Sequence, residues 1–221
     1  MIIDTRTHTY YHKGGVLPGV TSILKSVGLM HNEQYYTPAG AMRGTSIHML
    51  CQRDCEAEQG GGVRLAADSS AAELYGQYLD IWRLYKKESG WSSIMIEHPL
   101  SGSVAGNQYA GTPDRIGRYL GEDIGEDNRP RPLTVLDIKT GGISQWTRYQ
   151  LAAYVHLAGE SRIDGEADTP IIGRCAIHLS PHGYKIVHYP ASSLRSDIEV
   201  FAAALSVYVA KNAQEGGGGH G

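Results

Sequence analysis

The sequence predicts an α/β domain in which helices cover both faces of a mixed β-sheet. The first part of the chain reads as helices, and the second part alternates strand-like and helix-like segments. Because no linker or internal repeat is visible, we expect one domain over 1–214, made of an N-terminal arm with helices (1–90) and a sheet-forming part (91–211). The glycine-rich end, 215–221, is expected to be a flexible tail.

The N-terminal part shows an arm followed by three helices. The predicted elements are a hairpin or extended arm over 1–20, helices over about 21–27 and 38–58, and a third helix that opens near 70. Thr21 and Ser22 can cap the first helix, Pro38 stands at the permitted first position of the second, and Ser70 with Glu73 forms a capping box for the third. The apolar stripe of the third helix is Leu74, Tyr78, Ile81 and Tyr85.

The second part has the pattern β-β-β-α-β-β-α. The predicted strands cover 91–100, 109–120, 133–140, 171–180 and 184–190, and the predicted helices cover 144–159 and 191–211. A polar loop with an acidic insert at 121–129 joins the second strand to the third. Three N-terminal helices followed by this pattern predict one α/β domain with a mixed sheet.

The strand LTVLDIKT places two opposite charges in a segment that should be buried. Leu136 and Ile138 point to one face, and Asp137 and Lys139 point to the other, about 7 Å apart. Buried charge is costly unless each charge has a partner. The question is therefore what compensates Asp137 and Lys139.

Two further carboxylates stand on the preceding strands. Asp114 lies in GTPD, and Glu97 lies on the strand before it. If these strands are neighbours, Glu97, Asp114 and Asp137 converge, and a divalent cation such as Mg²⁺ would relieve their repulsion. Lys139 beside such a site can orient water and stabilise a phosphate that becomes more negative, which suits phosphodiester hydrolysis. Taken singly, Asp114 also reads as a turn residue and Glu97 as a solvated one.

Four motifs in this order resemble the PD-(D/E)XK nuclease superfamily. They are RGTSIH at 43–48, GTPD ending at Asp114, LDIKTG containing Asp137 and Lys139, and the helical pair Gln150 and Tyr154. The set is most similar to the branch of RecB-type nuclease domains, phage recombination exonucleases and the mitochondrial genome-maintenance exonuclease. The resemblance covers about residues 40–160 and implies a restriction-endonuclease-like core.

The resemblance also implies roles for individual residues. The implied catalytic residues are Glu97, Asp114, Asp137, Lys139, Gln150 and Tyr154. The implied metal ligands are His48, Glu97, Asp114 and Asp137, and the implied DNA contacts are Arg43, Thr45 and Arg148. From the residues alone, His48 reads as a helix-packing histidine, and Gln150 and Tyr154 read as a helix surface against the sheet. Only the motif context assigns them to a site.

Composition sets limits on the partners. The net charge of −3 gives no overall basic field, although a bound metal can supply positive charge locally. No apolar run approaches about 18 residues and no signal-like segment opens the chain, so we expect no membrane association and a cytoplasmic location in a bacterial or phage-infected cell. The three cysteines form no CxxC pair, and iron–sulphur relatives use four, so we expect no cluster.

The predicted function is a Mg²⁺- or Mn²⁺-dependent DNA exonuclease in recombination, repair or phage DNA metabolism. DNA is the expected partner, and a single-strand annealing or recombination protein is a second one that the resemblance suggests. Three alternatives remain open: a sequence- or structure-specific endonuclease of the same fold, a non-catalytic DNA-binding module, and a hydrolase of a small phosphoester. Tyr35, Tyr36 and Trp146 are candidates for stacking on unpaired bases.

Overall fold

In a computed structural model of the protein, the described residues are 2–4, 9–12, 14–30, 37–60, 70–119, 132–161, 163 and 170–216. The strands are β1 (Ile2–Asp4), β2 (Thr9–His12), β3 (Gly15–Leu17), β4 (Trp91–Ile96), β5 (Leu100–Val104), β6 (Asn107–Gly111), β7 (Arg115–Tyr119), β8 (Leu133–Lys139), β9 (Ile171–Ser180) and β10 (Gly183–Tyr189). The helices are α1 (Val20–Ser26), α2 (Pro38–Glu58), α3 (Ser70–Ser89), α4 (Thr147–Glu160) and α5 (Leu194–Gly216), with a 3-10 turn at Ala191–Ser193.

A five-stranded sheet forms the centre of the molecule. Its strand order is β10-β9-β8-β7-β4. The pair β8–β9 is parallel and the other three pairs are antiparallel, so the sheet is mixed. Strands β1 to β3 form a separate three-stranded sheet, and β5 with β6 forms a two-stranded one. The predicted fold class is confirmed: the mixed central sheet is compatible with a restriction-endonuclease-like core.

Alternating side chains of β8 supply two hydrophobic cores, one on each face of the sheet. Leu136 and Ile138 belong to a cluster with the buried residues of α2 and α3. Leu133 and Val135 belong to a cluster with the buried residues of α1, α4 and α5. Helices therefore cover both faces, as the alternation of the strand predicts.

Two of the predicted strands are interrupted, and both interruptions lie at the candidate site. The predicted strand 109–120 divides into β6 and β7 around Pro113, which has no N–H for a strand ladder. The predicted strand 91–100 breaks at Glu97, whose φ of 44° lies in the left-handed region. Glu97 and Asp114 therefore stand at strand ends and not within strands.

The helices differ from the prediction at their ends. Helix α1 begins at Val20 with Gly19 as its N-cap, so Thr21 and Ser22 lie inside the helix and do not cap it. Helix α4 begins at Thr147, three residues after the predicted start. Helix α2 begins as predicted, because the Thr37 side chain accepts a hydrogen bond from the Gly40 N–H at 3.0 Å.

The predicted apolar stripe of α3 is partly wrong. Leu74 is 71% exposed, whereas Leu79, Trp82 and Tyr85 are buried against the sheet. Tyr85 is the predicted stripe residue that is fully buried, whereas Tyr78 and Ile81 are partly buried at the margin of the packed face. At the other end of the chain, α5 continues to Gly216 and includes the first two residues of the expected tail.

Several features considered in the sequence lie in segments that the structure does not describe. These are the insert 121–129, Tyr35, Tyr36 and the last five residues of the chain. The three cysteines are buried thiols. Among the described helices, none has both the length and the apolar character that crossing a membrane requires.

Candidate active site

The strand order brings the predicted acidic residues to one edge of the sheet. Ile96 of β4 pairs with Arg115 of β7, and Arg115 pairs with Leu136 of β8. Because both pairs are antiparallel, the end of β4, the start of β7 and the end of β8 meet at the same edge. Glu97 and Asp114 are thus placed beside the last residues of β8.

Three side chains at this edge form what we call the candidate metal cluster: His48, Glu97 and Asp114. Each offers one ligand atom, and these atoms all lie within 4.8 Å of one another. His48 Nδ1 is 3.5 Å from Asp114 Oδ1 and 3.8 Å from Glu97 Oε1. The side chains keep 31%, 24% and 13% exposure for His48, Glu97 and Asp114, so solvent and ions can reach them.

The backbone of β8 orients two members of the candidate metal cluster. His48 Nε2 is 2.8 Å from the Ile138 carbonyl oxygen, and a carbonyl only accepts, so Nε2 carries the hydrogen. Nδ1 is then the atom that faces the carboxylates, as in many metal-binding histidines. Asp114 Oδ2 accepts a hydrogen bond from the Ile138 N–H at 2.6 Å. One residue of β8 therefore fixes both side chains.

The carboxylates of the cluster attract positive charge, either a proton on His48 or a metal ion that displaces this proton. Burial lowers the pKa of His48, but the carboxylates of Asp114 and Glu97 outweigh this and raise that pKa to about 9. Burial also raises the pKa of Asp114, and repulsion by Glu97 adds to this. Burial raises the pKa of Asp137 to about 6, even though the Lys139 ammonium opposes the shift. These carboxylates are poorly solvated, and a divalent cation would relieve them.

Glu97 is held in an unusual backbone conformation by its neighbours. Its N–H donates to the Asp114 carbonyl at 3.1 Å. Arg115 Nη1 donates to Glu97 Oε1 at 3.2 Å and also to the Asp114 carbonyl. A non-glycine residue at positive φ costs about 1–3 kcal/mol, and such strain often occurs at functional sites.

Arg115 was not among the predicted site residues. It is fully buried, and its guanidinium lies 5.9 Å from the Trp82 ring. The sequence contains a signal for it, because an arginine that directly follows Asp114 in an apolar strand needs an anionic partner when it is buried. Glu97 is that partner in the structure.

Lys139 lies in a second group of polar side chains beside the candidate metal cluster. Its Nζ is 2.8 Å from Asp137 Oδ2 and donates to Gln150 Oε1 at 3.2 Å. Gln150 Nε2 donates in turn to the Tyr154 hydroxyl at 3.3 Å. The structure thus brings Asp137, Lys139, Gln150 and Tyr154 into one chain, in which an ion pair joins Asp137 to Lys139 and hydrogen bonds join the other three. Asp137 lies in this chain and is not one of the three residues of the candidate metal cluster.

Trp146 packs under this chain. Lys139 Nζ lies 5.1 Å from the centre of the Trp146 ring, a cation–π distance. The ring is only 6% exposed, so it belongs to the core and does not offer a face to unpaired bases. Of the three residues considered for stacking, it is the one that the structure describes.

The predicted DNA contacts do not share one environment. Arg43 Nη2 donates to the Thr140 carbonyl at 3.4 Å, which places Arg43 beside the loop after β8. Thr45 is exposed on α2. Arg148 Nε donates to Asp197 Oδ1 at 2.7 Å, so its charge already has a partner. Their roles toward DNA stay predictions.

Comparison with known proteins adds little to this geometry. No family model matches the chain, and no curated protein matches it. The crystal structure of SSO0001 aligns over 86% of this chain and 77% of its own, with 13% identity and a TM-score of 0.35. The crystal structure of LHK-Exo in complex with dAMP aligns over 90% and 94%, with 12% identity and a TM-score of 0.32. Likeness at this level carries no argument, so function must be inferred from the site.

Proposed function

We propose that the protein is a metal-dependent deoxyribonuclease that hydrolyses phosphodiester bonds, acting as an exonuclease. The observation that carries the proposal is the candidate metal cluster, with three ligand atoms within 4.8 Å of one another. Lys139 is the residue after Ile138 on β8, and the backbone of Ile138 orients His48 and Asp114. A cation-binding cluster beside a lysine is the set of groups that phosphodiester hydrolysis requires.

The residues present fit a divalent cation of the Mg²⁺ or Mn²⁺ type. Glu97 and Asp114 offer the carboxylate oxygens that these ions prefer, and His48 Nδ1 adds a nitrogen that Mn²⁺ accepts. We infer that Asp137 completes the set, because its buried carboxylate, 2% exposed, is near enough to Asp114 for the two negative charges to repel each other. When bound, the cation would polarise the phosphate and make water more acidic.

Lys139 would act on the phosphate and on the attacking water. The Lys139 side chain is 19% exposed, so its ammonium can reach a substrate from its position 2.8 Å from Asp137. From there it can donate a hydrogen bond to water or to a phosphate oxygen that gains negative charge. Gln150 and Tyr154 would be positioning residues, because Gln150 holds the ammonium and Tyr154 holds the Gln150 amide.

Cleavage of end-labelled DNA tests the proposal. Linear single- and double-stranded DNA and a closed circle would be incubated with Mg²⁺, Mn²⁺ or EDTA. Metal-dependent shortening of the linear DNA is expected for the wild type and for the control Lys87→Ala, which changes an exposed lysine of α3. Lys139→Ala should lose at least about 100-fold in rate, as when a group that stabilises the transition state is removed.

The other outcomes identify the alternatives. Nicking of the closed circle would indicate an endonuclease. A gel shift without cleavage in any metal would indicate a binding module, and hydrolysis of small diesters without DNA binding at low salt would indicate a small-phosphoester hydrolase. Cleavage that persists in EDTA, or that Lys139→Ala leaves intact, would refute the proposed mechanism.

A further inference from the structure

A groove opens next to Lys139, on the side of the sheet toward β10. Its volume is about 600 Å³, and it is lined by the loop after β8, the first turn of α4, and strands β9 and β10. Three of the lining residues, Arg148, His178 and Lys185, carry basic side chains, and Tyr149 and Tyr189 contribute aromatic rings. Among the residues that the structure describes, no carboxylate lines the groove, although the chain as a whole has a net charge of −3.

Strand register connects this groove to the candidate active site. Lys139 of β8 is the partner of His178 on β9, and His178 is the partner of Lys185 on β10. Paired residues of neighbouring strands share a face of the sheet, so the three basic side chains form one row across it. With strands about 4.8 Å apart, the Cα atom of Lys185 lies about 10 Å from that of Lys139.

We propose that this groove, lined by Arg148, Tyr149, His178, Lys185 and Tyr189, holds a single strand of nucleic acid that extends from the cleavage site. The inference rests on the proposed function and names the path of its substrate. Lys185 and His178 would contact backbone phosphates, and the tyrosines would offer rings on which bases stack. Because the row begins at Lys139, a strand in the groove would present its next phosphate to that lysine.

The dimensions and charge favour a single strand over a duplex. A volume of about 600 Å³ is that of a small-ligand site and admits one or two nucleotides. A duplex is much wider, since its major groove alone spans about 12 Å. Positive charge that tracks one strand, interleaved with aromatic side chains, is typical of surfaces that bind single-stranded nucleic acid without sequence preference.

Lys185 is the residue through which the groove is best tested. It is exposed at the sheet edge. Arg148 is unsuitable, because its bond to Asp197 gives it a structural role. Lys87 on α3 is a matched control, because it is also exposed and α3 packs on the opposite face of the sheet from Lys139.

The experiment measures binding and catalysis separately. Binding of a fluorescent 15-nucleotide single strand, and of the same strand in a duplex, would be followed by anisotropy in EDTA over a range of salt concentrations. Lys185→Glu should weaken binding about tenfold. The logarithm of the binding constant falls as the logarithm of the salt concentration rises, and Lys185→Gln should make this negative slope shallower by about 0.7, which corresponds to the loss of one phosphate contact. Lys87→Glu should stay within about twofold of the wild type. Hydrolysis of bis(p-nitrophenyl) phosphate with Mn²⁺ would be measured for the wild type and for Lys87→Glu, and the two rates should agree, because Lys87 lies on α3 and outside the groove.

The outcomes separate the groove from the nuclease activity. Binding that depends on Lys185, together with no cleavage of DNA by the wild type in Mg²⁺ or Mn²⁺ and no diester hydrolysis, would support the groove and refute the proposed function. Equal effects of Lys185→Glu and Lys87→Glu, or no binding of the single strand by the wild type, would overturn the groove. A loss confined to duplex DNA would overturn its assignment to a single strand.

Discussion

Removing the carboxylate of Asp197 should destabilise the protein strongly. Asp197 Oδ2 is 2.8 Å from Arg174 Nη1, and Arg174 is fully buried in β9. Asp197 Oδ1 is 2.7 Å from Arg148 Nε on α4. The carboxylate thus joins α5 to the sheet and to the helix that carries Gln150. Asp197→Ala would leave the Arg174 cation buried without an opposite charge.

The stability that Asp197→Ala should lose depends on the contacts that Arg174 keeps. Breaking a buried ion pair by removing one partner costs about 3–5 kcal/mol. Arg174 would keep hydrogen bonds to the carbonyls of Arg148 and Pro190 and to Ser193 Oγ, so we expect the lower end, about 3 kcal/mol. For a chain of this size, that lowers the melting temperature by about 6–12 °C.

Urea unfolding followed by circular dichroism would measure the change. The control is Glu199→Ala, which breaks the pair between Glu199 and Arg195, side chains that are 65% and 91% exposed, and should cost at most about 1 kcal/mol. The double variant Arg174→Met with Asp197→Leu should recover most of the loss, because no charge is then left buried. The reasoning fails if Asp197→Ala costs no more than Glu199→Ala.

Three further variants test packing in different parts of the molecule. Gly111→Ala should lower both stability and any DNA cleavage, because the new Cβ would come within 2.5 Å of Tyr154 and displace it; thermal melts and a cleavage assay would show whether the two losses occur together. Gly76→Ala in α3 should raise the free energy of unfolding by about 0.5–1 kcal/mol in urea, because nothing lies within 4 Å of the new Cβ. Lys86→Met should cost about 1–3 kcal/mol in the same assay, since Lys86 Nζ donates to Asp54 at 2.6 Å in a buried pair; an unchanged midpoint would contradict this.

The alternation of residues in LDIK was enough to predict which side chains of β8 share a face of the sheet. The strand LTVLDIKT was expected to be buried, and the structure places β8 in the middle of the five strands. The same alternation put Asp137 and Lys139 on one face, where they are 2.8 Å apart. These features are local, so a single sequence contains them.

Other features depend on tertiary structure that the sequence does not display. The left-handed backbone of Glu97 and its hydrogen bond to Asp114 are such features, although Pro99, two residues later, could have indicated that the strand ends here. The burial of Arg115 depends on Trp82 of a helix that comes much earlier in the chain. The row from Lys139 to Lys185 depends on the register of three strands, which the alternation within each strand does not fix.

Binding of Mn²⁺ tests the central claim most directly, because it requires no substrate and no turnover. Electron paramagnetic resonance of free Mn²⁺ would be recorded as the protein is titrated, for the wild type, Asp114→Asn and the control Asp80→Asn, which changes an exposed acid on α3. We predict saturable binding by the wild type and by Asp80→Asn, and at least about tenfold weaker binding by Asp114→Asn, since a carboxylate ligand is lost. Equal binding by all three proteins, or no binding by the wild type, would contradict the assignment of His48, Glu97 and Asp114 as a metal site.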